Sequence, residues 1–196
     1  NVLIPMADFR KLIPFIIRWE TGVQDRNATY PQLFELARRR GFAHDHHDRG
    51  GATQTGVTLA TFTAWRKAKG KPTPTVTDLR RITFQEWCDI LKATFWDKCL
   101  ADDIRSQSVA EMMVDWTWHS GMGALKSIQR VLCVTPDGIM GAQTLRAINS
   151  SKPEVLFPSL RAARLKFVQS IVNRIPTQKK WLVGWENRIK SITFVG

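Results

Sequence analysis

Glu20 is the residue of this 196-residue chain whose type and setting best suit acid–base chemistry. It is the lone acidic side chain in the run 9–22, FRKLIPFIIRWETG, where Phe9, Leu12, Ile13 and Ile16 recur at helical spacing. Asp8 stands where it can cap that helix, Pro14 shifts the regular part downstream, and Gly22 is placed to end it. Glu20 then falls in the last turn beside Trp19, where helix carbonyls and an indole both disfavour a negative charge. A carboxyl held that way suits a general acid that protonates a leaving oxygen. The plainer reading is a solvated glutamate at a helix end, or the partner of one of the many arginines.

A second polar group is offered by AHDHHDRGGATQTG at 43–56, which has the composition of a loop. Gly50 and Gly51 permit backbone angles closed to other residues, so the loop can bring Asp48 or Thr53 to a groove. The plainer reading of Asp48 is an ordinary turn aspartate that hydrogen-bonds its own backbone. The neighbouring His44, Asp45, His46 and His47 invite a metal, but they are too crowded to converge as ligands, and no metal or cofactor is expected. Asp115 is a third carboxyl. Ser108 and Glu111 suggest a capping box, Val109, Met112, Met113 and Trp116 a buried stripe, and Glu111, Asp115 and Trp118 another face that can see a groove. Asp115 reads alternatively as an anchor for backbone or arginine. Trp19 and Trp118 either flank a groove or fill a core. The Asp137–Gly138 turn supplies too few oxygens for an EF-hand.

The elements that must position these groups are mainly helical. LFELARRRG ends a short helix at Gly41, Thr58 opens another with Leu59, Phe62 and Trp65 inward, and Thr83 with Glu86 forms a capping box. A long helix is expected over 159–174 and a last one marked by Trp181, Leu182, Trp185 and Ile189. The expectation is a compact bundle of roughly seven to nine helices without sustained strand alternation. The connection around Gly121 and Gly123 is too short for a free linker.

Bulk properties narrow the function classes. Twenty-nine Lys and Arg against seventeen Asp and Glu give a formal charge of +12, which concentrates a polyanion without choosing among nucleic acid, anionic lipid and anionic wall polymer. Cys88, Cys99 and Cys133 exclude a disulfide framework and read as buried thiols, one disulfide remaining open. No apolar run approaches the about eighteen residues of a spanning helix. The opening NVLIPMADF lacks the pattern of a signal peptide, so a substrate outside the cytoplasm would require another route.

Six motifs follow one another in order: WETG at 19–22, DRGGATQTGVT at 48–58, FWD at 95–97, DWTWHSG at 115–121, DGIMGAQTLRAIN at 137–149 and WLVGWENR at 181–188. Together they resemble the glycoside hydrolase family 108 peptidoglycan muramidases, found among phage endolysins and bacterial secretion activator proteins. The resemblance covers nearly the whole chain. It implies a mainly α, lysozyme-like fold divided into 1–120 and 121–196, the second part a C-terminal peptidoglycan-binding-like region packed on the first. It also implies hydrolysis of the β-1,4 bond between N-acetylmuramic acid and N-acetylglucosamine, with the catalytic glutamate of the family's E-G-G motif matched by Glu20. Thr21 replaces the first glycine of that motif, and Arg49 stands where the family's D-P-G-G-A-T motif has proline. Residues 26–47 read as an insertion able to form a flap. Asp48, Thr53 and Asp115 are then candidates, in that order, to orient water or support developing charge, with Trp19, Gly51 and Trp118 at the substrate. The expected partner is the peptidoglycan glycan strand, with an export or holin-like protein as a further candidate. Neither nucleic acid nor membrane insertion is expected, and the chain is expected to act as a monomer at the wall or periplasm. The alternative is a noncatalytic wall-binding or secretion-accessory protein.

Overall fold

The computed structural model describes residues 6–44 and 51–196, which fold mainly as α-helices with one small sheet. Asp48, with Asp45, His46, His47 and Arg49, lies outside the described residues. Contacts divide the chain into two compact units, residues 9–94 and residues 1–8 with 95–196.

The 9–94 unit opens with a 3-10 turn, Phe9–Leu12, that passes into α1, Ile13–Thr21. Leu12 occupies the N-cap without a side-chain bond and Pro14 sits in the first turn, so Asp8 does not cap the helix. Its backbone N–H instead donates to Gln107 in the unit that holds both. Gly22 ends α1 as expected, at φ 74°, with its N–H on the Arg18 carbonyl at 2.7 Å. Leu12, Ile13, Ile16 and Ile17 form the buried stripe.

Helix α2, Tyr30–Arg38, lies inside the stretch read as a flap. It is no flap: Thr29 and Gln32 cap it reciprocally, and Leu33, Phe34 and Ala37 are buried in the core. Phe34 packs against Phe84 and Trp87 with ring centroids 5.7 and 5.4 Å away. Removing such an aromatic from a core costs about 3–5 kcal/mol, so this helix supports the unit that carries Glu20.

Part of the expected loop is a three-stranded antiparallel sheet: β1 at Phe42–His44, β2 at Ala52–Gln54 and β3 at Val57–Thr58. Gln54 pairs with Val57, leaving Thr55 and Gly56 as a two-residue turn with φ of 47° and 81°. Both values are positive, as a hairpin turn that follows strand twist requires. The strands are too short for their alternation to have stood out. Helices α3 (Leu59–Ala68, capped by Thr58), α4 (Val76–Arg80) and α5 (Phe84–Leu91) complete this unit, α5 with the expected Thr83–Glu86 capping box.

In the 95–196 unit, α6 (Gln107–Ser120) packs against α7 (Ala124–Val131) and α9 (Pro153–Arg174), and α10 (Lys179–Ser191) lies along α9; α8 is Ala142–Ser150. Ser106, not Ser108, caps α6. Ser108 is buried and accepts a bond from the Val195 N–H at 2.8 Å. The long helix starts at Pro153, before the expected 159, because Pro158 is accommodated within it. Only Ile189 of the four residues marking α10 is buried, and Trp181 is 53 % exposed with the Lys180 ammonium 5.1 Å from its ring centroid.

Candidate active site

Glu20 is half-buried in the last turn of α1, held there by a helix whose other face is core. Its neighbour Trp19 is also half-buried. The Trp19 indole lies 6.4 Å from the Phe15 ring and beneath the Arg18 guanidinium at 5.7 Å, while its buried Nε1 has no hydrogen-bond partner among the described residues. Thr21, where the family motif has glycine, turns its hydroxyl back on the Ile17 carbonyl at 2.8 Å and accepts from the Val23 N–H at 3.2 Å. That geometry extends the helix end by side-chain bonds that a glycine lacks.

The hairpin is braced against this helix end. A methyl group placed on Gly41 would stand 2.9 Å from the Thr21 Cγ2 and 2.7 Å from the Thr55 Oγ1, so only glycine permits the three segments to meet. Thr55 is a β-branched residue at positive φ, a strained conformation that persists only where its surroundings fix it. Here they do. Its N–H donates to the Gly41 carbonyl at 2.9 Å, its hydroxyl donates to Gln54 at 3.2 Å, and its carbonyl accepts from the Trp87 indole at 2.9 Å.

Thr53 lies two residues before Thr55 in the central strand, paired with Ala43 on one side and Thr58 on the other. Ala52 and Gln54 are buried, whereas Thr53, on the opposite strand face, is half-exposed. Gly51 opens β2 at φ 62° in an exposed position. His44 of β1 and Ala52 of β2 are a paired position. Glu20, Thr53 and Gly51 thus share one compact unit, and Thr21, Gly41 and Thr55 are the contacts that tie their segments together.

Asp115 and Trp118 belong to the other unit. Trp118 is half-buried and meets Phe95 edge-on at 5.0 Å. Asp115 is fully buried: Arg164 donates to its Oδ2 at 2.7 Å and Arg188 to its Oδ1 at 2.7 Å. Burial pushes this carboxyl up, but the two guanidiniums outweigh it and hold the pKa down at about 2. Burial likewise lowers the Arg164 pKa, with Asp115 opposing that shift. These are the contacts of an anchor. The face shared with Glu111 and Trp118 does not expose Asp115, because α9 and α10 supply the arginines that cover it.

Asp137 also engages in structural bonding. Its Oδ1 accepts from the Gln129 amide at 2.7 Å and from the Ile139 N–H at 2.8 Å, bonds that lower its pKa, the backbone bond first. The buried Gln129 also accepts from the Gly138 N–H and donates to the Ile139 carbonyl. Among the described residues no group of His, Cys, Asp and Glu is arranged to hold a metal ion.

Two known families match successive parts of the chain. The glycosyl hydrolase 108 family matches residues 35–121, and the family described as "Predicted Peptidoglycan domain" matches residues 123–190. The chain carries a glycosyl hydrolase 108 domain followed by a peptidoglycan domain. The glycosyl hydrolase 108 match begins inside the stretch read as an insertion and after Glu20. Among solved structures, the chain is similar to SagA of Brucella abortus, at 27% identity and a TM-score of 0.72, over 94% of this chain and 90% of that one. No curated protein matches. The domain pair implies a glycoside hydrolase of lysozyme-like, peptidoglycan-directed activity, with peptidoglycan as its partner. Asp115 lies in the first matched region and Arg164 and Arg188 in the second, so this glycosyl hydrolase 108 domain is ion-paired to its peptidoglycan domain through α6.

Sequence reading missed Gly41 as a contact point, Thr55 as a strained hinge of the hairpin, and Arg164 and Arg188 as the partners of Asp115. Thr55–Gly56, between residues that pair as strands, was the one local signal of the hairpin; the arginines are 49 and 73 residues from Asp115 and left none.

Proposed function

We propose that the protein is an N-acetylmuramidase that cleaves the β-1,4 bond between N-acetylmuramic acid and N-acetylglucosamine. What supports this most is the half-buried carboxyl of Glu20 at a helix end against which a strained hairpin is braced, within a chain that carries a glycosyl hydrolase 108 domain. Glu20 gives its proton to the glycosidic oxygen as the bond from the anomeric carbon breaks. Water then adds to that carbon and loses a proton to a carboxylate. Asp48 is assigned to orient the water or support the positive charge, with the half-exposed Thr53 hydroxyl assisting. Asp115 is left out of the chemistry because both its oxygens are held by buried arginines. Trp19, Gly51 and Trp118 are assigned to the substrate, residues 1–120 to catalysis and 121–196 to wall binding. Delivery by an export or holin-like partner rests on the resemblance alone.

A second reading, a noncatalytic wall binder, is favoured by two observations: Thr21 replaces the motif glycine, and the glycosyl hydrolase 108 match begins after Glu20. Digestion of purified peptidoglycan by the protein and by Glu20→Gln separates the two. New muramic-acid reducing ends, lost in the variant, support the muramidase. Glucosamine ends would reassign the bond, and tight wall binding without new ends would leave the binder.

A further inference from the structure

Three cavities of about 460, 500 and 430 Å³ surround the loop between α1 and α2, and Asp25 lines all of them. The first reaches Gly22, the residue that ends α1 two positions beyond Glu20, and is flanked by Arg39 and Arg40. The third runs along the outer face of α1 past Phe15 and Arg18 to Arg26 and Tyr30. Every one of these residues lies in the 9–94 unit.

The charge in this groove is left without ion pairs, although the Arg18 guanidinium lies over the Trp19 ring and the Arg39 charge helps to lower the Glu35 pKa after the Arg38 hydrogen bond. Among the described residues, Arg18, Arg26, Arg39 and Arg40 form no ion pair, whereas Arg38, which lines none of the three cavities, is bound to Glu35 at 2.8 Å. The carboxylates on the lining are Asp25, which accepts from the Asn27 N–H at 2.9 Å, and Glu35, already paired with Arg38. Four exposed guanidinium forks thus border a concave surface whose own acids are engaged locally. Planar guanidinium groups bind carboxylates through two parallel hydrogen bonds, and Phe15 and Tyr30 add apolar contact between them.

We propose that this groove binds the carboxylate-bearing stem peptide carried by the glycan strand, as a subsite distinct from the sugar-cleaving one. The proposal rests on the muramidase reading for its substrate. It makes the groove a specificity determinant: Arg39 and Arg40 take the peptide nearest the helix end, and Arg18 and Arg26 take its continuation. A free sugar chain makes none of these contacts.

The test compares soluble glycan strands that retain their stem peptides with strands stripped of them by an amidase. For the full-length Arg39→Gln/Arg40→Gln variant, KM on peptide-bearing strands should rise about tenfold, the worth of one lost bidentate pair. kcat should hold, and stripped strands should show less than a twofold change. Lys67→Gln/Lys69→Gln removes the same charge from exposed positions outside the groove and should leave both substrates alike. Equal losses on both substrates, or equal losses in the lysine control, would overturn the proposal in favour of general charge attraction. Should the wild type release no reducing ends at all, the muramidase reading fails by itself. The groove is then judged by calorimetric binding of a soluble stem-bearing muropeptide, which the arginine variant must weaken for the proposal to stand.

Discussion

The two compact units treat charge in opposite ways. In the 95–196 unit, Asp115 and two arginines are taken out of water and paired with bonds of 2.7 Å. In the 9–94 unit, Glu20 stays half-buried at a helix end and Arg18, Arg26, Arg39 and Arg40 remain at the surface. A buried carboxylate held by two guanidiniums stays ionised near neutral pH and is closed to substrate, whereas one at the rim of a core is open to it. Burial therefore separates the anchor from the candidate acid more sharply than residue type does.

The largest test of that contrast is Asp115→Ala, which leaves two buried guanidiniums without a counter-charge. It should cost about 3–5 kcal/mol in urea unfolding. Acid should act through the same group: the folded carboxyl titrates at about 2 and the unfolded one at 3.8, so its stabilisation is present above pH ~4 and is lost as pH falls through 2. That loss amounts to about 2 kcal/mol. An unfolding free energy flat from pH 5 to pH 2 would contradict the assignment.

Glu20→Gln should show the reverse signature. Activity should drop about 10²–10⁴-fold while the unfolding free energy in urea changes by less than about 0.5 kcal/mol. A variant that unfolds easily would place Glu20 among the anchors. Gly41→Ala probes the brace between helix and hairpin. The added methyl meets Thr55 and Thr21 and should cost about 1–3 kcal/mol by thermal melting, with wall digestion falling alongside. Unchanged melting would show that the hairpin moves aside freely.

The smallest effect concerns thiols. Cys133 is exposed, contrary to the expectation of buried cysteines, whereas burial raises Cys88 to about 12 and Cys99 to about 11. One equivalent of an aromatic disulfide reagent should modify Cys133 first at pH 8, the other two following only on denaturation. Prompt labelling of all three would contradict the shielding of half-buried Cys88 and buried Cys99.

How much was legible follows from the range of each interaction. The helix carrying Glu20, its stop at Gly22, the Thr58 cap and the Thr83–Glu86 box are all local, set by spacing and by side chains bonding within a turn, and the residues alone determined them. Register and partner choice are not local. Residues 26–44 became a core-bearing helix and a strand because Phe34 finds Phe84 and Trp87 far along the chain. Ser108 looked like a cap until Val195 claimed it, and Asp115, readable either as a groove carboxyl or as an anchor for backbone or arginine, became the anchor once α9 and α10 supplied its arginines. Amino-acid order thus settled which groups were available for chemistry, and tertiary packing settled which remained in contact with water, since desolvation depends on neighbours that no short window of sequence contains.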